Sequence, residues 1–214
     1  MPPAGVIFDC DGTLVDSEPL AWRAWRDVLA GYGYELKPED IELTRGRGWP
    51  EIHGHFASVV PGLPGSAGAW DGFSGRLFAL LEAELTPFDD AIGTARELHE
   101  RGFPIAVASS SPRARLDATL RAAGLVGLFD VTVAGDEVTH GKPAPDLFLA
   151  AAERLGVTPG DCVAVEDSPP GVASAVAAGM TVVAVARKPE HRADLEPHLV
   201  DELTATVVEA ALTR

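Results

Sequence analysis

The chain has 214 residues, 46% apolar and 23% charged, an ordinary globular composition that supports one sizeable core with room for a small accessory module. Its 17 Lys and Arg against 32 Asp and Glu give a formal charge of −15, which excludes a general polyanion binder, so no nucleic-acid partner is expected. No apolar run reaches the roughly 18 residues of a membrane span, and Asp9 and Asp11 interrupt the only apolar stretch at the N-terminus. With just two cysteines, Cys10 and Cys162, there is no disulfide framework, and a reduced, cytoplasmic setting without membrane partners is expected.

Val6-Ile7-Phe8 ends abruptly in Asp9-Cys10-Asp11-Gly12-Thr13, which predicts a buried strand whose end delivers acidic residues and then turns on a glycine. From about Ser17 to Thr86 the pattern is helical throughout: Pro19–Leu29, Pro38–Leu43, Pro50–Val59 and Ala69–Leu85, with Pro61 to Gly68 as a connector. After Thr86 the chain alternates. Helices are predicted over Asp89–Arg101, Arg113–Ala123, Asp146–Leu155 and Pro170–Ala178, each ending next to a glycine. Strands are predicted at 104–108, 129–133, 161–165 and 181–185. Near-continuous apolar strands alternating with helices predict an α/β fold with a doubly wound, Rossmann-like parallel sheet. The core is assigned to residues 1–15 and 87–214, and an inserted all-helical cap to 16–86, with hinges near Asp16-Ser17 and Thr86-Pro87.

In such a sheet ligands sit beyond the carboxyl ends of the strands. The predicted strand ends carry Asp9 and Asp11, Ser109, and Glu166-Asp167, with Gly141-Lys142-Pro143 just after another strand. Carboxylates gathered in one crevice repel, and their pKa values rise unless a cation joins them. Mg²⁺ suits one or two carboxylates plus phosphate oxygen and water. Lys142 adds a second positive charge, so an acidic protein acquires a locally cationic pocket for a small anion.

The runs Asp9-Cys10-Asp11-Gly12-Thr13-Leu14-Val15-Asp16-Ser17-Glu18, Ser109 after a strand, Gly141-Lys142-Pro143-Ala144-Pro145-Asp146 and Glu166-Asp167-Ser168 closely resemble the motifs of the haloacid dehalogenase-like hydrolases, in the branch with a helical cap between the first and second motifs. All four occur in order, across the whole chain. The resemblance implies Asp9 as a nucleophile that takes up phosphate as an aspartyl-phosphate, and Asp11 as general acid/base. It implies Ser109, with Ser110 beside it, and Lys142 around the phosphoryl oxygens. It implies Mg²⁺ held by Asp9, by the Asp11 backbone carbonyl, by Asp167 and, directly or through water, by Glu166. The substrate is then a small phosphate ester of a sugar or polyol, turned over by a monomer or weak homodimer.

Asp11 separates the chain from the true dehalogenases, which lack it. The Lys-Pro-Ala-Pro-Asp run is also similar to β-phosphoglucomutases, but those carry histidine, arginine and lysine where Ala21, Trp49 and Pro112 stand here. A phosphomutase is therefore the alternative reading, and a non-catalytic phosphometabolite-binding protein a further one. Arg45 and Arg47, in the cap, are candidates for contacting the leaving group. Ser111 before Pro112 reads as a helix N-cap. His53 and His55 read as an ordinary helix-surface pair, Cys10 as a buried hydrophobe, and Trp22 and Trp25 as cap core.

Overall fold

The computed structural model describes residues 4–44 and 46–212. Five strands form one parallel sheet: β1 (Gly5–Phe8), β4 (Ile105–Ala108), β5 (Val131–Val133), β6 (Cys162–Glu166) and β7 (Thr181–Ala184), in the order β5-β4-β1-β6-β7. The first strand is thus central, flanked by β4 and β6, and its end faces the ends of both.

Alternate residues of a strand point to opposite faces, and here both faces are covered. Val6, Phe8, Ile105, Val107, Val163 and Val165 pack with α5 (Asp89–Glu100), α6 (Arg113–Ala122) and α9 (Ala205–Leu212). Ile7, Ala106, Ala108 and Ala164 pack with α7 (Asp146–Leu155) and α8 (Pro169–Ala177). Two-sided burial is why the strands read as unbroken apolar runs.

Four helices lie between β1 and α5: α1 (Glu18–Ala30), α2 (Pro38–Thr44), α3 (Trp49–Val59) and α4 (Ser66–Glu84). They have an apolar cluster of their own, with Trp25 stacked on Trp49 at 5.5 Å and on Phe73 at 4.9 Å. The fourth helix starts three residues earlier than its apolar pattern, at Ser66, whose hydroxyl accepts the Trp49 indole N–H at 2.8 Å. The crossings between the helical segment and the sheet pair with each other. Strands β2 (Val15–Asp16) and β3 (Thr86–Pro87) form a two-stranded antiparallel ribbon, Val15 opposite Pro87 and Asp16 opposite Thr86. Among the described residues no helix is long and apolar enough to cross a membrane.

Candidate active site

The chain leaves β1 at Phe8 and turns on Gly12, whose φ of +93° suits glycine. A Cβ there would also sit 2.3 Å from Asp167 Oδ2. Glycine therefore allows the Asp9–Asp11 turn to close against the end of β6.

Asp9, Glu166 and Asp167 each offer a carboxylate oxygen within 4.8 Å of the others. Lys142, brought in by the loop before α7, points into this group. Its Nζ donates to Asp9 Oδ1 at 2.5 Å, to Glu166 Oε1 at 2.5 Å and to the Ala108 carbonyl at 3.2 Å, so all three ammonium protons have partners. Burial alone would strip the proton from Lys142, but the charges of Asp9 and Glu166 prevail and its pKa is raised.

Glu166 is fully buried, and its second oxygen accepts from Asp167 N, Ser168 N and Ser168 Oγ at 2.9–3.0 Å. Ser168 in turn caps α8, accepting from Gly171 N at 3.2 Å. Glu166 is thus fixed on both oxygens, one aimed at Lys142.

Asp9 and Asp167 are different. Burial raises the pKa of both; Glu166 adds to the rise, and Lys142 opposes it incompletely. Asp9 Oδ2 is out of solvent with no hydrogen-bond partner among the described residues. An orphaned carboxylate oxygen beside two further carboxylates is a donor set that fits a hard divalent cation such as Mg²⁺.

The Asp11 carboxylate turns to the opposite wall, away from that cluster. It accepts from Ser17 Oγ, from Ser111 Oγ at 2.7 Å, from Ser109 Oγ at 3.3 Å and from Arg115 Nη2 at 3.0 Å. Burial would raise its pKa, but Arg115 and these hydroxyls hold it below the ordinary value. Ser109 is fully buried, and its Oγ also accepts from Ser111 N at 3.1 Å. Ser110 and Ser111 line the crevice itself, a cavity of about 60 Å³, with Asp9, Lys142 and Asp167.

Arg47 stands exposed on the cap side of this crevice, and Arg45 lies outside the described residues. The N-cap assigned to Ser111 is corrected: the residue before α6 is Pro112, the Arg113 backbone N–H is taken by Asp136 Oδ1 at 2.9 Å, and the Ser111 hydroxyl goes to Asp11. Cys10 is buried in the core with its thiol pKa raised well above normal, mainly by burial. His53 and His55 are engaged by the Pro64 carbonyl and by Asp40. Trp25 is cap core, yet it and Trp22 also line the crevice.

Sequence reading missed Arg115. It stands one turn into α6, 104 positions from Asp11, and a helical arginine carries no local signal of such a partner. Only its place right after the Ser109–Ser111 strand end could have marked it.

The chain is similar to the fructose-1-phosphate phosphatase YqaB of Escherichia coli, with 39% identity over 85% of this chain and 96% of that one. It is 40% identical to the Protein SUPPRESSOR OF QUENCHING 1 of Arabidopsis thaliana over 85% of this chain, and spans only 18% of that longer protein. The crystal structure of CbbY from Rhodobacter sphaeroides in complex with phosphate superposes with a TM-score of 0.86 at 28% identity, covering 99% of this chain and 100% of that one. A model of the haloacid dehalogenase-like hydrolases matches residues 3–179, from the strand that leads into Asp9 to the end of the helix beyond Asp167; the chain belongs to that family.

Proposed function

We propose that the chain is a Mg²⁺-dependent phosphatase that hydrolyses a small sugar or polyol phosphate through an aspartyl-phosphate on Asp9. The observation that carries this reading is the Asp9 carboxylate: one oxygen is tied to Lys142, the other is buried without a partner. A carboxylate fixed on one side and free on the other is set to attack phosphorus. Residue 9 in a structural role would have both oxygens satisfied.

Asp167, the Asp11 backbone carbonyl and one oxygen of the Asp9 carboxylate would hold the ion, with Glu166 beside it, and the other Asp9 oxygen is the one that attacks phosphorus. Bound there, Mg²⁺ supplies charge compensation that lets a phosphate dianion approach a carboxylate. Lys142 neutralises the nucleophile and a transferring oxygen. Glu166 keeps the Lys142 ammonium charged and aimed. Ser110 and Ser111, on the wall of the crevice, are closer candidates for phosphoryl contact than the buried Ser109, which braces Ser111 and Asp11. Asp11 is ionised in this arrangement, so it serves as the acid after taking a proton from solvent or from a monoanionic ester; it passes that proton to the departing oxygen and then takes one from the water that opens the aspartyl-phosphate. The helical segment 16–86 acts as a cap that keeps water out during the first step, and Arg47 contacts the leaving group from its rim.

The test is release of inorganic phosphate from a panel of phosphate esters, with Mg²⁺ and with chelator. Asp9→Asn is expected to abolish turnover while the protein stays folded, and a fully active Asn variant overturns the reading. β-Glucose 1-phosphate distinguishes the alternative: formation of glucose 6-phosphate instead of inorganic phosphate makes the chain a mutase.

A further inference from the structure

Two hydrogen-bond donors in the crevice wall are out of solvent and have no partner among the described residues: the Trp22 indole N–H and the Arg115 Nε–H. Buried polar groups are almost always satisfied within the fold. Besides Asp9 Oδ2, these two donors, Trp22 from α1 and Arg115 from α6, are unsatisfied in residues that line one cavity, which points to something that fills the cavity and accepts from both. Neither residue touches the phosphoryl-handling group of Asp9, Lys142 and Glu166 through any hydrogen bond described above. Arg115 instead contacts Asp11, the residue that meets the departing oxygen, so the space beside it is where the alcohol half of an ester lies.

The charge of this wall selects among ligands. The Arg115 guanidinium is already compensated by Asp11 at 3.0 Å. Among the described residues the other ionisable side chains of the wall outside the Asp9–Lys142–Asp167 centre are Glu18, whose carboxylate lies 3.9 Å from Lys188 Nζ, and Arg47, which stands exposed on the cap side. The two buried donors themselves therefore bring no uncompensated charge: one is an indole, the other belongs to a guanidinium already paired with Asp11. Beside these two donors a second phosphate or a carboxylate would lie against the Asp11–Arg115 pair, with no uncommitted cation among the described buried residues there. A neutral hydroxyl oxygen accepts from an N–H at no such cost.

Resting on the phosphatase reading, we infer that Trp22 and Arg115 form a leaving-group subsite that accepts a polyhydroxylated alcohol by donating to its hydroxyl oxygens. Specificity for an oxygen-bearing group follows, because a leaving group without hydroxyls buries the two N–H groups unpaired.

The experiment compares kcat/KM for fructose 1-phosphate with kcat/KM for phenyl phosphate, whose leaving group carries no further oxygen. The variants are Trp22→Phe, which removes the N–H and keeps a ring, and Arg115→Lys, which keeps the charge beside Asp11 but loses the fork geometry. Thermal unfolding reports that each is folded. The ratio of the two kcat/KM values is expected to fall about 10-fold in each variant, the scale of one lost hydrogen bond. Phenolate departs with less help from a proton than an alkoxide, so a disturbance of Asp11 would lower the same ratio; Trp22→Phe, which leaves the Asp11–Arg115 contact in place, therefore carries the test, and Arg115→Lys counts only where an Asp11→Asn control gives a smaller change in the ratio. An unchanged ratio overturns the inference, as does a wild type that hydrolyses phenyl phosphate but no hexose, pentose or hexitol phosphate. A wild type that hydrolyses neither class overturns the phosphatase reading itself.

Discussion

The Lys142 ammonium lies 2.5 Å from Asp9 Oδ1, and both side chains are buried. Removing one partner of such a pair leaves an uncompensated charge in a poor solvent. Lys142→Met leaves two, since Glu166 loses the same partner. The expected result is a loss of about 3–5 kcal/mol of stability, read from denaturant midpoints. A fall in kcat of about 10²–10³-fold should accompany it in whatever fraction stays folded.

Glycine 171 sits where the Glu166 carboxylate must lie: a Cβ on it would fall 1.8 Å from Glu166 Oε1. Gly171→Ala therefore has to displace Glu166 from Lys142 and from the amides it accepts. A cost of more than about 3 kcal/mol is expected, at the upper end of overpacking effects. Gly93, inside α5, has nothing within 4 Å of a built Cβ, so Gly93→Ala should instead stabilise by about 0.5–1 kcal/mol. Chemical denaturation of the two variants gives opposite signs if Glu166 is held as described.

Asp167 carries a pKa raised by burial first, then by Glu166, Asp9 and Glu18. A carboxyl whose folded value is raised loses stability as pH climbs through its unfolded value, so at neutral pH its charge is a burden unless a cation joins it. Mg²⁺ should therefore raise Tm, by an amount equivalent to about 2.7 kcal/mol at a hundred times Kd, and chelator should reverse it. Asp167→Asn is expected to be at least as stable as the metal-free wild type and to lose most of the Mg²⁺ response. Differential scanning fluorimetry with and without Mg²⁺ measures both.

Asp40, in α2, accepts from the Tyr34 hydroxyl at 2.9 Å, from Lys37 N at 3.0 Å and from His55 Nε2 at 2.7 Å. Burial works against the carboxylate, yet these donors prevail and its pKa is below the ordinary 3.8. A depressed acid stabilises the fold above its unfolded pKa and ceases to do so as pH drops through the folded one. Asp40→Asn should cost about 1–3 kcal/mol at pH 7, and the gap to wild type should narrow as the pH is taken below 3.8. Urea titrations at several pH values check the sign.

The sheet was legible because its strands are apolar on both faces, and Ile7 and Phe8 serve opposite layers as the unbroken run implies. Helix ends were legible to within one to three residues because glycines at positive φ, such as Gly156, stop them. The last helix, Ala205–Leu212, was not read: it is eight residues long and lacks the flanking strand that marked the others. The β2–β3 ribbon was too short for any periodicity. That Asp9, Lys142, Glu166 and Asp167 come together was legible because each sits at a strand end or in the loop beyond one. What separates their surroundings was not. That Glu166 has both oxygens committed while Asp9 keeps one free depends on amides from positions 167 and 168, and residue type carries no trace of this. Ser111 illustrates the same limit. A serine before a proline resembles a helix cap, but the acceptor that draws its hydroxyl stands 100 positions earlier.

Because Asp16 and Thr86 stand opposite each other in the β2–β3 pair, the polypeptide departs from the sheet and returns to it at a single doorway. Everything between those residues is a single excursion from the sheet, whose apolar cluster also receives Ala118 of α6. An insertion closed at its own base adds no strand to the β1, β4 and β6 pairings; what it adds is the part of the crevice wall that Trp22, Trp25 and Arg47 supply.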